Sequence, residues 1–238
     1  MRRRELNTGP IGNGVAPSAR PLLGLAGAFE RLRRSAVAGK VILATVAAVA
    51  IVIFIRIAAE MREGDVDGVD RTIALAIHRL DSPWLVSIMV VITNLGSGLV
   101  LAIASLLVVA VCMRRRERRL ALVLAANGVV VLGLEVALKH AFGRARPTLF
   151  PEISLPADSS FPSGHSMASI ALYGTIAVVL GALYPKRAGL LLVTALGLIA
   201  SIGFSRVFLG VHWPSDVAAG FAAGLPFVLV ARYVCQSP

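Results

Sequence analysis

FPSGHSMASIALYGTIAVVLGAL, residues 161–183, passes from a polar turn into eighteen residues, Ser166 to Leu183, without one Asp, Glu, Lys or Arg. An α-helix needs about 20 such residues to cross the hydrocarbon core of a bilayer. Pro162 and Ser163, just ahead of the run, are residues that start helices. Comparable runs lie at 41–59, 86–112, 120–138, 188–204 and 214–232. In lipid every backbone polar group must be satisfied internally, so all six runs are expected to be helices. The fold class is therefore all-α: an integral membrane protein of six transmembrane helices packed as a bundle. The second run contains Asn94-Leu95-Gly96-Ser97-Gly98, turn residues that either break one span or separate a short surface helix, about 84–93, from the span proper.

Composition agrees with that reading. Of 238 residues, 57% are hydrophobic and 16% charged, with a mean hydropathy of +0.80, which leaves no room for a separate soluble domain. Residues 1–40 hold Arg, Gly and Pro without apolar periodicity and read as a solvated, disordered basic tail, with the membrane domain at 41–238. A cleaved signal peptide fits poorly, because the first apolar run starts only at Val41. The net charge of +11 sits in short clusters between apolar segments, so it belongs to the membrane surface and not to a nucleic-acid partner. Cys112 and Cys235 lie near the ends of apolar runs and read as unpaired thiols.

The placement of Lys and Arg orients the chain. The tail holds eight, the loop after the second run holds Arg114, Arg115, Arg116, Arg118 and Arg119, and Lys186, Arg187 and Arg232 bring that side to sixteen of the 24. That side is expected to be cytoplasmic, with both termini, in a bacterial inner membrane. The opposite face then carries three polar islands: Lys139 to Pro147, Phe161 to Ser166, and Ser205 to Asp216.

Each island has an ordinary explanation and a chemical one. Lys139, Arg144 and Arg146 suit a cluster snorkelling to headgroups, or a clamp on phosphoryl oxygens. Glu135, one turn before Lys139, suits an i, i+4 ion pair. Ser163 and Gly164 suit a helix cap, and such a cap also turns backbone N–H groups and the positive end of the helix dipole toward an anion. His212 and Asp216 are four residues apart across a helix start; they suit an interfacial histidine with a capping carboxylate, or an imidazole whose second nitrogen is left free to attack. Trp213 suits an interfacial anchor.

Taken together, Lys139-x6-Arg146-Pro147, Pro162-Ser163-Gly164-His165 and Ser205-Arg206-x5-His212-x3-Asp216 resemble the three-part signature of the type 2 phosphatidic acid phosphatase superfamily. Thr93-Asn94-Leu95-Gly96-Ser97 also looks like that family's second helix. The resemblance implies a lipid phosphatase in which His212 is the nucleophile, Asp216 orients it and His165 protonates the leaving oxygen. It further implies that Lys139, Arg146, Arg206, Ser163, Gly164 and Ser205 hold the phosphoryl group, with no metal and no cofactor. The partner is then a membrane lipid phosphate or diphosphate, such as phosphatidic acid, phosphatidylglycerol phosphate or undecaprenyl diphosphate, met at the extracytoplasmic face. The alternative is a lipid phosphotransferase that passes the same phosphohistidine to a second lipid.

Overall fold

The computed structural model describes residues 20–149 and 157–236, with side chains from Val37 to Cys235. These residues form α1 (Arg20–Glu63), α2 (Asp67–His78), α3 (Pro83–Leu95), α4 (Gly98–Arg114), α5 (Arg118–Phe142), α6 (Gly164–Leu183), α7 (Ala188–Phe208) and α8 (Pro214–Gln236). A 3-10 turn at Pro185–Arg187 leads into α7. The chain divides into two compact units, residues 1–41 and 42–238. In the first, every described residue from Arg20 on is helical; Leu, Ala and Arg dominate there and favour that state. The rest of the stretch read as a basic tail, residues 1–19, lies outside the described residues.

Five helices are long and apolar enough to cross a membrane, and α3 with α4 passes the same test as a pair bent by 49°. All six segments expected from the sequence fall on these helices. The break in the second segment is at Gly96-Ser97, where Ser97 caps α4 by accepting a hydrogen bond from Val100 N at 3.5 Å. A break inside a membrane frees backbone groups that must find partners. Here Tyr173 on α6 donates its hydroxyl to Leu95 O at 2.6 Å.

The stretch from 60 to 85, between the first two apolar runs, is not simply a loop, because it contains α2. Its twelve residues are too few and too polar to register as a span, yet Asp67 and Asp70 stand in its first turn and favour the N-terminal end of a helix dipole. It packs against the ends of α7 and α8.

Apolar side chains such as Val129, Leu99, Leu190 and Leu106 are exposed around the bundle, the surface a lipid environment requires. At the centre stands α6, with Met167, Ala171 and Val179 wholly buried. Its contact with α8 depends on small residues. A Cβ on Gly224 would stand 2.3 Å from Ile170 Cγ2 and 2.5 Å from Met167 O, so only glycine permits this approach of the two backbones. Asn127 on α5 donates to Thr175 Oγ1 at 2.8 Å and to Phe227 O at 3.2 Å, joining α5, α6 and α8. Cys112 and Cys235 are free thiols in one apolar cluster with Leu120 and Val179.

Candidate active site

The three polar islands meet at one end of α5, α6, α7 and α8. At the end of α7, Gly210 takes φ of 64°, in the left-handed region that favours glycine, and the N–H groups of Val211 and His212 both donate to Arg206 O at 3.2 Å. That turn folds His212 back into the protein, where it is 2% exposed. Pro214 then opens α8, and Asp216 in its first turn accepts the Trp213 N–H at 2.9 Å, one half of a capping box. Asp216 O in turn accepts from Ser163 N at 3.0 Å, tying the third island to the second.

The bonds around His212 assign its tautomer. Arg146 Nη1 lies 3.1 Å from His212 Nε2, and since a guanidinium has no acceptor, Nε2 is the accepting nitrogen. The ring proton is then on Nδ1, which faces Asp216 Oδ2 at 3.5 Å and Ser160 Oγ at 3.4 Å. Ser160 bridges the two, donating to the same carboxylate oxygen. Burial, the largest influence, pushes the His212 pKa down to about 4, although its bond to Asp216 works in the other direction. The imidazole is therefore neutral at pH 7, with its lone pair on the side of Arg146.

Around Nε2 the chain gathers positive charge. Arg146 is buried and is also held by Val211 O at 2.7 Å. Lys139 pairs with Glu135 at 3.2 Å, the i, i+4 pair expected from the sequence. The Glu135 carboxylate lies where a Cβ on residue 164 would be, 1.8 Å from that position, so Gly164 admits it against the start of α6. Ser163 caps α6, its hydroxyl accepting from Ser166 N at 3.4 Å and from Ser166 Oγ at 3.0 Å. Arg206 donates to Thr93 Oγ1 at 2.8 Å, while its buried Nε has no partner among the described residues. His165 lies within electrostatic reach of Arg206, His212, Lys139 and Arg146. Its ring also approaches the α3–α4 break, where a Cβ on Gly96 would come within 3.2 Å of Cδ2. Ser205 differs from the others: its hydroxyl turns into its own helix, donating to Ile202 O at 2.6 Å.

Residues 116–237 match the PAP2 superfamily, more than half of the chain and all three islands. The chain belongs to the PAP2 superfamily. It is 33% identical over 176 residues to phosphatidylglycerophosphatase B of Bacillus subtilis, covering 72% of this chain and 86% of that one. To an undecaprenyl-diphosphatase of Sulfolobus acidocaldarius it is 34% identical over 117 residues, 46% of this chain and 52% of the other. The crystal structure of a transmembrane PAP2-type phosphatidylglycerolphosphate phosphatase from Bacillus subtilis superposes with a TM-score of 0.74 at 29% identity, covering 78% of this chain and 93% of that one.

Four further residues join this candidate site; Thr93 lies in the stretch that resembles the family's second helix, and the other three belong to no motif visible in the sequence. Asp158, in the loop before α6, pairs with Lys139 and places Oδ1 2.6 Å from Arg146 Nη2. Burial works to raise the Asp158 pKa, but the bonds from Lys139 and Arg146 outweigh it and hold the carboxyl at about 2. Ser160 joins His212 to Asp216, and Thr93 holds Arg206. Asp70 on α2 reaches Arg144 Nη2 at 2.8 Å. Arg144, open in the sequence between a phosphate ligand and a snorkelling side chain, turns into the protein: its Nη1 donates to Asp216 Oδ1 and to Ser215 Oγ, each at 2.7 Å. Burial works to lower the Arg144 pKa, but Asp216 and Asp70 outweigh it and raise it. The general signal for these partners was charge balance. Cations gathered at a partly buried site require carboxylates nearby, though nothing in the sequence said which.

Proposed function

We propose that this PAP2 protein is a lipid phosphatase that works through a phosphohistidine on His212. One observation carries the reading: His212 is buried and neutral, presents the Nε2 lone pair toward Arg146, and has the Asp216 carboxylate behind Nδ1. In the first step Nε2 attacks phosphorus and the bond to the ester oxygen breaks. His165 gives that oxygen its proton, and the new charge on the His212 ring is stabilised by Asp216. In the second step water attacks phosphorus, His165 takes a proton from it, the P–N bond breaks and inorganic phosphate leaves. Lys139, Arg146, Arg206, Ser163 and the Gly164 backbone hold the phosphoryl oxygens, so that most of the catalysis is positioning and charge stabilisation. A phosphoryl oxygen also supplies the partner that the buried Nε of Arg206 lacks among the described residues.

The site carboxylates support a metal-free route. Asp70 and Asp216 are bonded to Arg144, and Asp158 to Lys139 and Arg146. Hard cations need such oxygens unpaired. The substrate class is a lipid phosphate or diphosphate whose headgroup reaches the helix ends from the bilayer, on the extracytoplasmic face that the Lys and Arg distribution favours. Residues 1–40 are the basic cytoplasmic tail of that topology.

The test is phosphate release by purified protein from phosphatidic acid, phosphatidylglycerol phosphate and undecaprenyl diphosphate, with and without EDTA. The expected outcome is metal-independent release from at least one of them, lost in His212→Ala. Turnover by that variant, or consumption of the donor lipid only with an added acceptor lipid that becomes phosphorylated while no inorganic phosphate is released, refutes the hydrolytic phosphohistidine reading.

A further inference from the structure

We propose that Asp70, on the extramembrane helix α2, is a positioning residue that keeps Asp216 available to His212. The inference rests on the phosphohistidine reading above and concerns a part of the chain that lies outside the three islands.

Asp70 is 2% exposed and spends both carboxylate oxygens on the site. Oδ1 accepts the Ser215 N–H at 2.8 Å, in the first turn of α8, and Oδ2 accepts Arg144 Nη2 at 2.8 Å. The other terminal nitrogen of Arg144 goes to Asp216 Oδ1 at 2.7 Å. The guanidinium thus forks between two buried carboxylates, one nitrogen to each. Asp67 adds a contact to Nη2 at 3.1 Å, but its side chain is 70% exposed.

The division matters because a guanidinium prefers to take one carboxylate with two parallel bonds. If Arg144 did so with Asp216, Nη2 would move onto Oδ2. That oxygen is the one facing His212 Nδ1, and it also accepts from Ser160 and from Trp213 N. Asp70 prevents this by holding Nη2. Asp216 Oδ1 stays with Arg144, and Oδ2, alongside its bonds from Ser160 and Trp213 N, stays open to the Nδ1–H as His212 takes up charge, so the carboxylate remains ionised beside the imidazolium. The bond from Asp70 to Ser215 N fixes α2 to the same helix turn that carries Asp216, so the fork and the carboxylate it serves share one anchor. The arrangement also accounts for the depth of Asp70. An acidic residue on a surface helix is ordinarily solvated; this one is buried because its charge is matched by Arg144.

Kinetics of Asp70→Asn separate this role from bulk stability. Asparagine keeps the size and can still accept from Ser215 N, but it holds Nη2 weakly. With the best lipid of the panel in mixed micelles, kcat is expected to fall about tenfold or more, with KM within about threefold of wild type, as misplacement of a reacting group predicts. Asp67→Asn, at the exposed end of the cluster, is expected to stay within about twofold. In an Arg144→Gln background the Asp70→Asn change is expected to cost less than about twofold more, because the two residues act as one unit. Wild-type kcat in Asp70→Asn, or an undiminished loss in the Arg144→Gln background, overturns the proposal. If Asp70→Asn does not purify as a folded species, Arg144→Lys decides, since one ammonium cannot fork between two buried carboxylates; wild-type kcat in that variant overturns the proposal too. His212→Ala assayed alongside separates the two readings: activity there sinks the phosphohistidine mechanism, whereas an inactive His212→Ala beside a fully active Asp70→Asn sinks only the role of Asp70.

Discussion

Asp158→Asn tests what the substrate must displace. The Asp158 carboxylate lies on Lys139 and Arg146, two of the groups proposed to bind the phosphoryl oxygens. An incoming phosphate dianion therefore competes with an internal anion. Charge-assisted hydrogen bonds contribute about 1.5–3 kcal/mol each where they are well buried. The Asp158 side chain is 46% exposed, so water screens part of that, and a discounted figure of about 1 kcal/mol for each cation is appropriate. Losing the charge should thus make phosphate binding easier by about 1–2 kcal/mol, or about 5- to 30-fold in affinity. The bond from Arg146 Nε to the Asp158 backbone carbonyl, 3.2 Å, survives the substitution and keeps the loop in place. The assay is inhibition of lipid-phosphate turnover by inorganic phosphate and by orthovanadate at fixed ionic strength. Both inhibition constants are expected to fall within that range, with KM moving in the same direction. Unchanged or weakened inhibition in a variant that still elutes as a folded species would falsify the competition, and would assign Asp158 instead to holding Lys139 and Arg146 in place.

Two other measurements bear on the site and its orientation. His212 has its pKa depressed in the folded protein, so its contribution to stability is complete above about 6.5 and is lost as pH falls toward about 4. Unfolding midpoints of wild type and His212→Gln should accordingly converge over that interval, by an amount on the order of 3 kcal/mol; parallel curves would mean that the ring is not held neutral. A cytoplasm-active reporter fused after Pro238 should be active, and a periplasm-active one silent; the reverse pattern would place the catalytic cluster on the inner face.

The sequence was most legible where one physical requirement dominated. Continuous apolar runs announce membrane helices because lipid offers the backbone no partners, and all six runs became helices or, for residues 83–114, a bent pair. The break at Gly96-Ser97 was marked by turn residues. What they did not indicate was its use: it brings Thr93 to Arg206 and lets Gly96 pass close to Ile202 and His165. Helix α2 is not legible in the sequence because a twelve-residue amphipathic helix in a charged stretch lacks the long apolar signal of a span. Arg144 reads two ways in the sequence because its partners are 72 and 74 residues away along the chain.

By itself, then, the sequence determined the spans, the turn residues at their ends and the order of three motifs, each set by local chemistry within a few residues. Tertiary structure alone decided which carboxylate meets which cation. Asp158 on Lys139 and Arg146, Asp70 and Asp216 on the two arms of Arg144, and Ser160 between His212 and Asp216 are all pairings between separate segments. Ion pairing depends on distance in space and on the burial that weakens screening by water. Neither quantity exists until the helices have packed.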